Sequence, residues 1–301
     1  MSYFDRFRLK LRQYINTKST AKNQDRFATN KKYNIEVIDT ESSRIDKDCR
    51  DLNDVTFLIP VKIEHPDREK NINLSIDFLR HHFDTNIMVA EESSNPQLEY
   101  LKDKCQYYHY STNSIYTHKT KILNKIAQKT DTEIIVIWDT DSLVEKLQIL
   151  TAYKLVKDKK LDMVCPYDGI CVDFSQSSHQ YLVRQKYELS KISPALFKLN
   201  YEDSVGGAVF FNREIFMEGG MMNERFVSYG WEDNELIERF AKLGYRIGRI
   251  NGVLVHLEHY RDKNGSKNNL FAINNRQELQ KVQMMNQQQL RAYVEECLKV
   301  K

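Results

Sequence analysis

The sequence has little glycine and no clustered cysteine, and both shortages exclude classes of functional site. Only 10 of the 301 residues are glycine, and none occurs before Gly169. The glycine-rich loops of dinucleotide-binding folds and of P-loop enzymes follow an early strand, so the first half of the chain contains neither. The five cysteines are scattered and form no Cys-x-x-Cys pair, which argues against zinc, a redox site or a disulfide framework. We therefore expect reduced thiols in a cytoplasmic protein.

Long apolar runs and a large net charge are also missing. No apolar stretch approaches the roughly 18 residues that span a membrane, and the N-terminus lacks the apolar core of a signal peptide. The net charge of +3 is too small to indicate nucleic-acid binding, so we expect no nucleic-acid partner. The charge is uneven, however. Residues 1–32 hold nine basic and two acidic side chains, whereas the remainder holds 36 basic and 40 acidic ones.

This basic leader, residues 1–32, begins with aromatic and leucine residues set among Arg and Lys, which is typical of a short amphipathic helix. Two placements are open: the helix packs on the body of the protein, or it lies on an anionic membrane as a peripheral contact at the inner face. Residues 17–50 show little periodicity and predict a linker. We divide the chain into an N-terminal helix and linker at 1–50, a main domain at 51–265 and a helical extension at 266–301.

From residue 55 onward, apolar runs alternate with helical patterns. Strands are predicted at 55–61, 86–90, 106–110 and 133–138, and helices over 72–83 and 117–129. This order predicts an α/β fold with a mostly parallel central sheet flanked by helices. Ligands of such sheets bind beyond the carboxyl ends of the strands. The polar residues that follow the strands therefore become candidates: Lys62, Glu91, Glu92 and Asp139.

Nine of the ten glycines lie between Gly206 and Gly265. The Gly206-Gly207 pair enters an apolar strand, and helices are predicted over 232–243 and 275–299. No internal repeat and no clear boundary separate the two halves. We therefore expect one domain between residues 51 and 265.

Asp139-Thr140-Asp141 directly follows an apolar strand. Two carboxylates at this spacing can converge on a Mg²⁺ or Mn²⁺ ion that also holds a diphosphate. The alternative is that Asp141 or Ser142 caps a helix at 143–157. The position at the carboxyl end of a strand favours the metal.

Two further groups in the second half carry chemistry. Gly230-Trp231-Glu232-Asp233 opens a helix, where acids are favoured by the helix dipole, yet a carboxylate on such a turn can also take a proton from a hydroxyl. Tyr229 and Trp231 either stack on a sugar or belong to the core. His256-Leu257-Glu258-His259 follows a strand, and imidazoles are good ligands of divalent transition metals. Arg261 and Lys263 lie near enough in sequence to neutralise a phosphate.

Together these stretches resemble GT-A-fold glycosyltransferases: family-2-like, with a C-terminal half shared by family 7 galactosyltransferases, polypeptide GalNAc-transferases and bacterial chondroitin polymerases. The likeness rests on residues 57–61, 121–124, 139–141 and 206–262. The last stretch is the most specific, because its paired glycines and Gly230-Trp231-Glu232-Asp233 keep the order and spacing of the family. The resemblance spans roughly residues 54–265. It implies a Rossmann-like nucleotide-binding half joined to an acceptor-binding half.

The resemblance also implies roles for the matching residues. Donor binding is implied for Pro60, Val61, Lys62, Glu91, Glu92, Lys119, Lys121 and Asp139. Asp141 and Asp139 would bind Mn²⁺ or Mg²⁺ with a histidine, His259 by its spacing to Arg261 or His256 by its strand position. The catalytic pair would be Asp233 as base and Glu232 as an acceptor-binding carboxylate. The remaining acceptor contacts would be Gly207, Tyr229 and Trp231.

The function implied is that of a metal-dependent inverting glycosyltransferase. It would move a sugar from a nucleotide-sugar, expected to be a UDP-sugar, to a glycan or lipid-linked acceptor in surface polysaccharide synthesis. Inversion follows from a single displacement, since no second carboxylate nucleophile is evident. The alternative is a non-catalytic carbohydrate- or nucleotide-binding module with the same fold. A third possibility, a nucleotidyltransferase with a related sheet, would not explain the Trp231-Glu232-Asp233 motif.

Overall fold

The computed structural model describes residues 9–11, 13, 28–40, 45–262, 265–266 and 269–298. Most of the basic leader lies outside these residues, and so does Lys263. None of the helices in the described part of the chain combines the length and apolar character needed to cross a bilayer.

Strands and helices alternate through most of the described chain. The strands are β1 (Glu36–Ile38), β2 (Asp51–Val61), β3 (Asp84–Ser93), β4 (Gln106–Ser111), β5 (Ile134–Trp138), β6 (Ser142–Val144), β7 (Met163–Cys165), β8 (Cys171–Phe174), β9 (Phe197–Tyr201), β10 (Ala208–Asn212), β11 (Ile247–Ile250) and β12 (Leu254–Leu257). The α-helices are α1 (Ala28–Tyr33), α2 (Pro66–His82), α3 (Lys119–Ala127), α4 (Lys146–Lys157), α5 (His179–Arg184), α6 (Arg213–Glu218), α7 (Glu232–Leu243), α8 (Ala272–Met284) and α9 (Gln287–Tyr293).

Eight of these strands form the central sheet, in the order β1-β11-β7-β10-β5-β2-β3-β4. Every neighbouring pair is parallel except the two that β10 makes with β5 and β7. Every residue of the apolar strand β5 is buried, and because successive side chains point to opposite faces, the sheet is covered on both faces there. The predicted α/β fold with a mostly parallel central sheet is confirmed.

A smaller sheet, in the order β6-β12-β8-β9, holds the residues of the site in place. β6 follows Asp141 directly, and it pairs antiparallel with β12 so that Ser142 lies opposite His256. β12 is in turn parallel to β8, which places His256 opposite Asp173. Three segments that are far apart in sequence therefore meet at one end of the central sheet.

Three details differ from the sequence-based expectations. The helix-cap alternative for Asp141 and Ser142 is wrong, because residues 142–144 form β6 and α4 begins only at Lys146. The helix predicted over 275–299 is interrupted, and Asn286 caps a second helix with its side chain. Residues 36–38, predicted as linker, pair with the central sheet through β11. The domain boundaries themselves remain predictions.

Candidate active site

A cavity of about 460 Å³ opens at the carboxyl ends of β2 and β5. It brings together residues from both halves of the chain, as expected for the end of a parallel sheet. The predicted site residues that line it are Pro60, Val61, Lys62, Lys119, Asp139, Asp141, Gly207, Tyr229, Trp231, Glu232, Asp233, His256 and His259.

Main-chain hydrogen bonds shape the turn that carries the two aspartates. The Asp139 N–H donates to the Gly207 carbonyl (2.8 Å), and the Ser142 N–H donates back to the Asp139 carbonyl (3.2 Å). The Leu257 N–H donates to the Asp141 carbonyl (2.7 Å), which ties the turn to β12. The backbone alone therefore sets Asp141 beside the two histidines.

Asp141, His256 and His259 form a cluster that could hold a metal ion, with one ligand atom from each lying within 4.8 Å of the others. Oδ2 of Asp141 is 3.2 Å from Nε2 of His259 and 4.0 Å from Nε2 of His256. The structure thus brings together both histidines between which the sequence leaves the choice open. Asp139 lies outside this cluster.

The other ring nitrogen of each histidine is already engaged. Nδ1 of His256 is 2.8 Å from a carboxylate oxygen of Asp173, and Nδ1 of His259 is 2.7 Å from the carbonyl of Tyr260. A hydrogen bond from Nδ1–H to an acceptor places the lone pair on Nε2, the atom that faces Asp141. The donor set of two imidazole nitrogens and one carboxylate oxygen therefore fits a divalent transition ion such as Mn²⁺.

Arg68, from the first turn of α2, also contacts Asp141. Its guanidinium donates to Oδ2 of Asp141 and lies 3.4 Å from the Thr140 hydroxyl. Burial opposes ionisation of Asp141, but the charge of Arg68 and the neighbouring histidines hold the pKa of this carboxyl well below its usual range. Asp141 is therefore ionised.

Lys119, the first residue of α3, joins the aspartate turn to the carboxylates of α7. Its amine is 2.9 Å from Asp139 and 3.7 Å from both Glu232 and Asp233. Burial alone would lower the pKa of Lys119, but the charges of Asp139, Asp233 and Glu232 raise it well above its usual value. The lysine is thus a fixed positive charge between the two groups of acids.

Asp233 packs directly against the main chain of Gly206. A Cβ atom at position 206 would lie 1.9 Å from Oδ2 of Asp233 and 2.4 Å from its Cγ, so any side chain there would displace the carboxylate. Burial raises the pKa of Asp233 to about 7, with Lys119 opposing and the charges of Glu232 and Asp139 adding to the rise. A carboxyl with this pKa can exchange a proton near neutral pH.

The segment before α7 holds the neighbouring residues in an uncommon backbone conformation. Ser228, Gly230 and Trp231 all have positive φ, and Trp231, which is 40% exposed, lines the cavity. The Gly230 N–H donates to a carboxylate oxygen of Glu232 (3.0 Å), which fixes that side chain. The turn presents Tyr229 and Trp231 to the cavity rather than to the core.

Glu91, Glu92 and Lys121 are not among the residues that line the cavity. Glu91 is fully buried and accepts hydrogen bonds from the N–H groups of Gln97 and Leu98, so it shapes a turn. Glu92 binds both the N–H and the ring of His118. The rule that ligands bind beyond the carboxyl ends of the strands predicted the correct edge of the sheet. It did not predict which side chains at that edge enter the cavity.

Two charged residues that contact the candidate metal ligands have no sequence prediction. Arg68 reaches Asp141 across 73 positions in sequence, and Asp173 reaches His256 across 83. Asp173 is a single acid within the short strand β8, and Arg68 resembles any cation in the first turn of a helix, so neither has a local sequence signal. Both become visible only once the chain is folded.

Residues 189–263 match a family model described as the N-terminal domain of galactosyltransferase. The matched segment contains Gly206, Asp233 and both histidines of the metal cluster. No curated protein matches the chain significantly.

Two solved structures are similar to this chain over 67% and 75% of its length. The catalytic domain of Drosophila beta1,4-galactosyltransferase 7, in complex with xylobiose, has 16% sequence identity and a TM-score of 0.41 over 67% of this chain and 65% of that one. Glucosyl-3-phosphoglycerate synthase from Mycobacterium tuberculosis, in complex with Mn²⁺, UDP and phosphoglyceric acid, has 15% identity and a TM-score of 0.48 over 75% and 78%. The chain thus spans slightly under two thirds of the Drosophila domain. Over residues 189–263 the chain is similar to galactosyltransferases, and the resemblance inferred from its sequence is confirmed there.

Proposed function

We propose that the protein is a metal-dependent inverting glycosyltransferase of the GT-A type, which transfers a sugar from a UDP-sugar to a hydroxyl of a glycan or glycoconjugate. One observation carries the proposal. A single cavity joins a candidate metal cluster (Asp141, His256, His259) to a carboxyl with a pKa near neutrality, Asp233. The galactosyltransferase-type match over residues 189–263 supports it.

The donor half of the cavity would hold the nucleotide diphosphate. Pro60 and Val61 end β2, Lys62 follows them, and all three line this side. A divalent ion held by Asp141, His256 and His259 would supply positive charge that offsets the charge developing on the departing diphosphate. The mixed nitrogen and oxygen donor set favours Mn²⁺ over Mg²⁺, which prefers oxygen ligands.

The acceptor half would supply the base. Asp233 takes the proton of the acceptor hydroxyl as this oxygen attacks the anomeric carbon from the face opposite the leaving diphosphate. A single displacement of this kind inverts the configuration at that carbon. Gly206 and Lys119 hold the carboxylate in position, and Tyr229 and Trp231 offer aromatic faces on which a sugar can stack.

The first experiment is a screen of UDP-sugars with the purified protein and Mn²⁺. UDP is the first probe because the similar Mycobacterium tuberculosis enzyme binds it with Mn²⁺. We expect Mn²⁺-dependent thermal stabilisation by UDP and UDP release from at least one UDP-sugar. Asp233→Asn should abolish transfer and leave UDP binding intact, whereas the matched control Asp77→Asn, on the exposed side of α2, should change neither.

The outcomes of this screen separate the alternatives. Transfer undiminished in Asp233→Asn would remove the proposed base. Metal-dependent UDP binding with no transfer to any acceptor would favour a non-catalytic binding module. No UDP binding at all would count against a UDP-sugar enzyme.

The bounds of the catalytic domain, the acceptor and the cellular location are proposed from the sequence. We propose that residues 51–265 form the catalytic domain, that the acceptor is a glycan or lipid-linked sugar of a surface polysaccharide, and that the protein works in the cytoplasm. The proposed membrane contact rests on the basic leader, residues 1–32, most of which lies outside the described residues. Liposome binding that is unchanged when these residues are deleted would refute that contact.

A further inference from the structure

Arg68 contacts the candidate metal cluster at an atom that a metal ion would bind. Its guanidinium donates to Oδ2 of Asp141, the same oxygen that faces Nε2 of both histidines. The Asp141 side chain is only 9% exposed, so this contact is shielded from water and strong. Of the oxygens of Asp141, the one best placed for a metal ion is therefore bound to an internal cation.

A second arginine faces the cluster in a similar way. Nη2 of Arg261 lies 3.3 Å from Nε2 of His256. Two of the three candidate ligand atoms, Oδ2 of Asp141 and Nε2 of His256, thus contact guanidinium groups. Placing a divalent cation among these atoms brings it into direct repulsion with Arg68, because the two positive charges share one oxygen.

The other cations of the cavity already have different partners. The amine of Lys62 donates to the carbonyls of Ser114 (2.7 Å) and Tyr116 (3.4 Å). Lys119 lies against Asp139, Glu232 and Asp233. Arg68 is different, because its partner is the very carboxylate that a metal ion would take.

We propose that Arg68 competes with the divalent ion for Asp141, and that the diphosphate of the donor strengthens metal binding by accepting the displaced guanidinium. Guanidinium groups bind phosphate oxygens through paired N–H donors, so a diphosphate in the same cavity is a suitable new partner. Metal alone then binds weakly, and metal and diphosphate each raise the affinity for the other by the same factor. The protein would load its donor and its ion together.

The test measures Mn²⁺ binding, not catalysis. Free Mn²⁺ is followed by electron paramagnetic resonance during titration of the full chain, Arg68→Met and the control Lys70→Met. Lys70 is on the same helix and loses the same charge, but its amine pairs with Asp67 and not with the cluster. We expect Arg68→Met to raise the affinity for Mn²⁺ alone by about tenfold, as expected for loss of a charge-assisted hydrogen bond to a competing cation. Lys70→Met should stay close to the unmodified protein.

A second variant and a second ligand sharpen the test. Arg68→Lys keeps the charge but loses the paired donors, and we expect an affinity for Mn²⁺ between those of the unmodified protein and Arg68→Met. The titrations are then repeated in the presence of UDP. We expect UDP to raise the Mn²⁺ affinity of the unmodified protein more than that of Arg68→Met. Thermal unfolding confirms that each variant is folded.

The outcomes are distinct. The proposed competition is refuted if Arg68→Met binds Mn²⁺ alone no more tightly than the unmodified protein. It is also refuted if Lys70→Met gains as much affinity for Mn²⁺ as Arg68→Met does. An equal effect of UDP on Arg68→Met and on the unmodified protein overturns the transfer of the guanidinium to the diphosphate. The UDP titrations rest on the proposed function. If UDP changes the Mn²⁺ affinity of none of the proteins, both the transfer of the guanidinium to the diphosphate and the UDP-sugar assignment are refuted. The Mn²⁺ titrations still decide the competition.

Discussion

Replacing Gly206 by alanine tests whether the position of Asp233 controls the chemistry. Gly206 does not have a positive φ, so alanine is compatible with its backbone and adds only one methyl group. That methyl group would start 1.9 Å from Oδ2 of Asp233. The substitution therefore acts on the proposed base through space, without changing any charged or polar group.

The size of the effect follows from the geometry. Real Cβ atoms essentially never approach another heavy atom within 3.0 Å, so the carboxylate has to retreat from 1.9 Å by about 1 Å or more. A displacement of 1 Å at a reacting group can lower the rate about 100-fold. Donor binding should change little, because the three atoms nearest to the new methyl group all belong to Asp233.

The assay is UDP release at saturating donor, using the UDP-sugar that the unmodified protein accepts, together with the Mn²⁺-dependent affinity for UDP. Gly248→Ala is the matched control. Its added Cβ would also be close to an atom, Cδ1 of Leu161 at 2.3 Å, but that atom ends a flexible side chain outside the cavity. Overpacking costs about 1–3 kcal/mol, so both variants should unfold at lower temperature. Equal activity of the two alanine variants would refute the role given to Gly206 and Asp233.

Four further predictions follow from the same contacts. Because burial and nearby acids raise the pKa of Asp233 to about 7, kcat/KM should rise with pH through neutrality as the base ionises, and Glu232→Gln should move the midpoint to lower pH. Lys119→Met removes the cation that opposes this rise, so the midpoint of the same profile should move to higher pH; a fixed midpoint would contradict the proposed electrostatics. Asp173→Asn should weaken Mn²⁺ binding about 10- to 100-fold through the loss of the partner that orients His256, measured by the same Mn²⁺ titration. His256→Ala and His259→Ala should each weaken Mn²⁺ binding, and an unaffected variant would identify a histidine that is not a ligand.

Local patterns were sufficient for the scaffold. A short, continuous apolar run such as that of β5 predicts a buried strand. A strand that is buried on both faces has no position at which a polar side chain could reach water. The alternation of such runs with helical spacing predicted the parallel sheet, and the residues after β5 predicted the position of the site. The scarcity of glycine made the glycines and aromatics before α7 stand out, and within that segment the family resemblance pointed to Asp233 as the base.

The sequence by itself predicted the α/β scaffold, the edge of the sheet at which the cavity opens, and most of the acids and histidines that line this cavity. Only the tertiary structure decided which side chains meet. Pairing of β6 with β12 sets Asp141 beside both histidines, and α2 delivers Arg68 to the same carboxylate. Glu91 is directed into a buried turn instead. The physical reason is that strand period and burial are local properties, whereas a contact between residues more than 70 positions apart depends on register and packing, which no short stretch encodes.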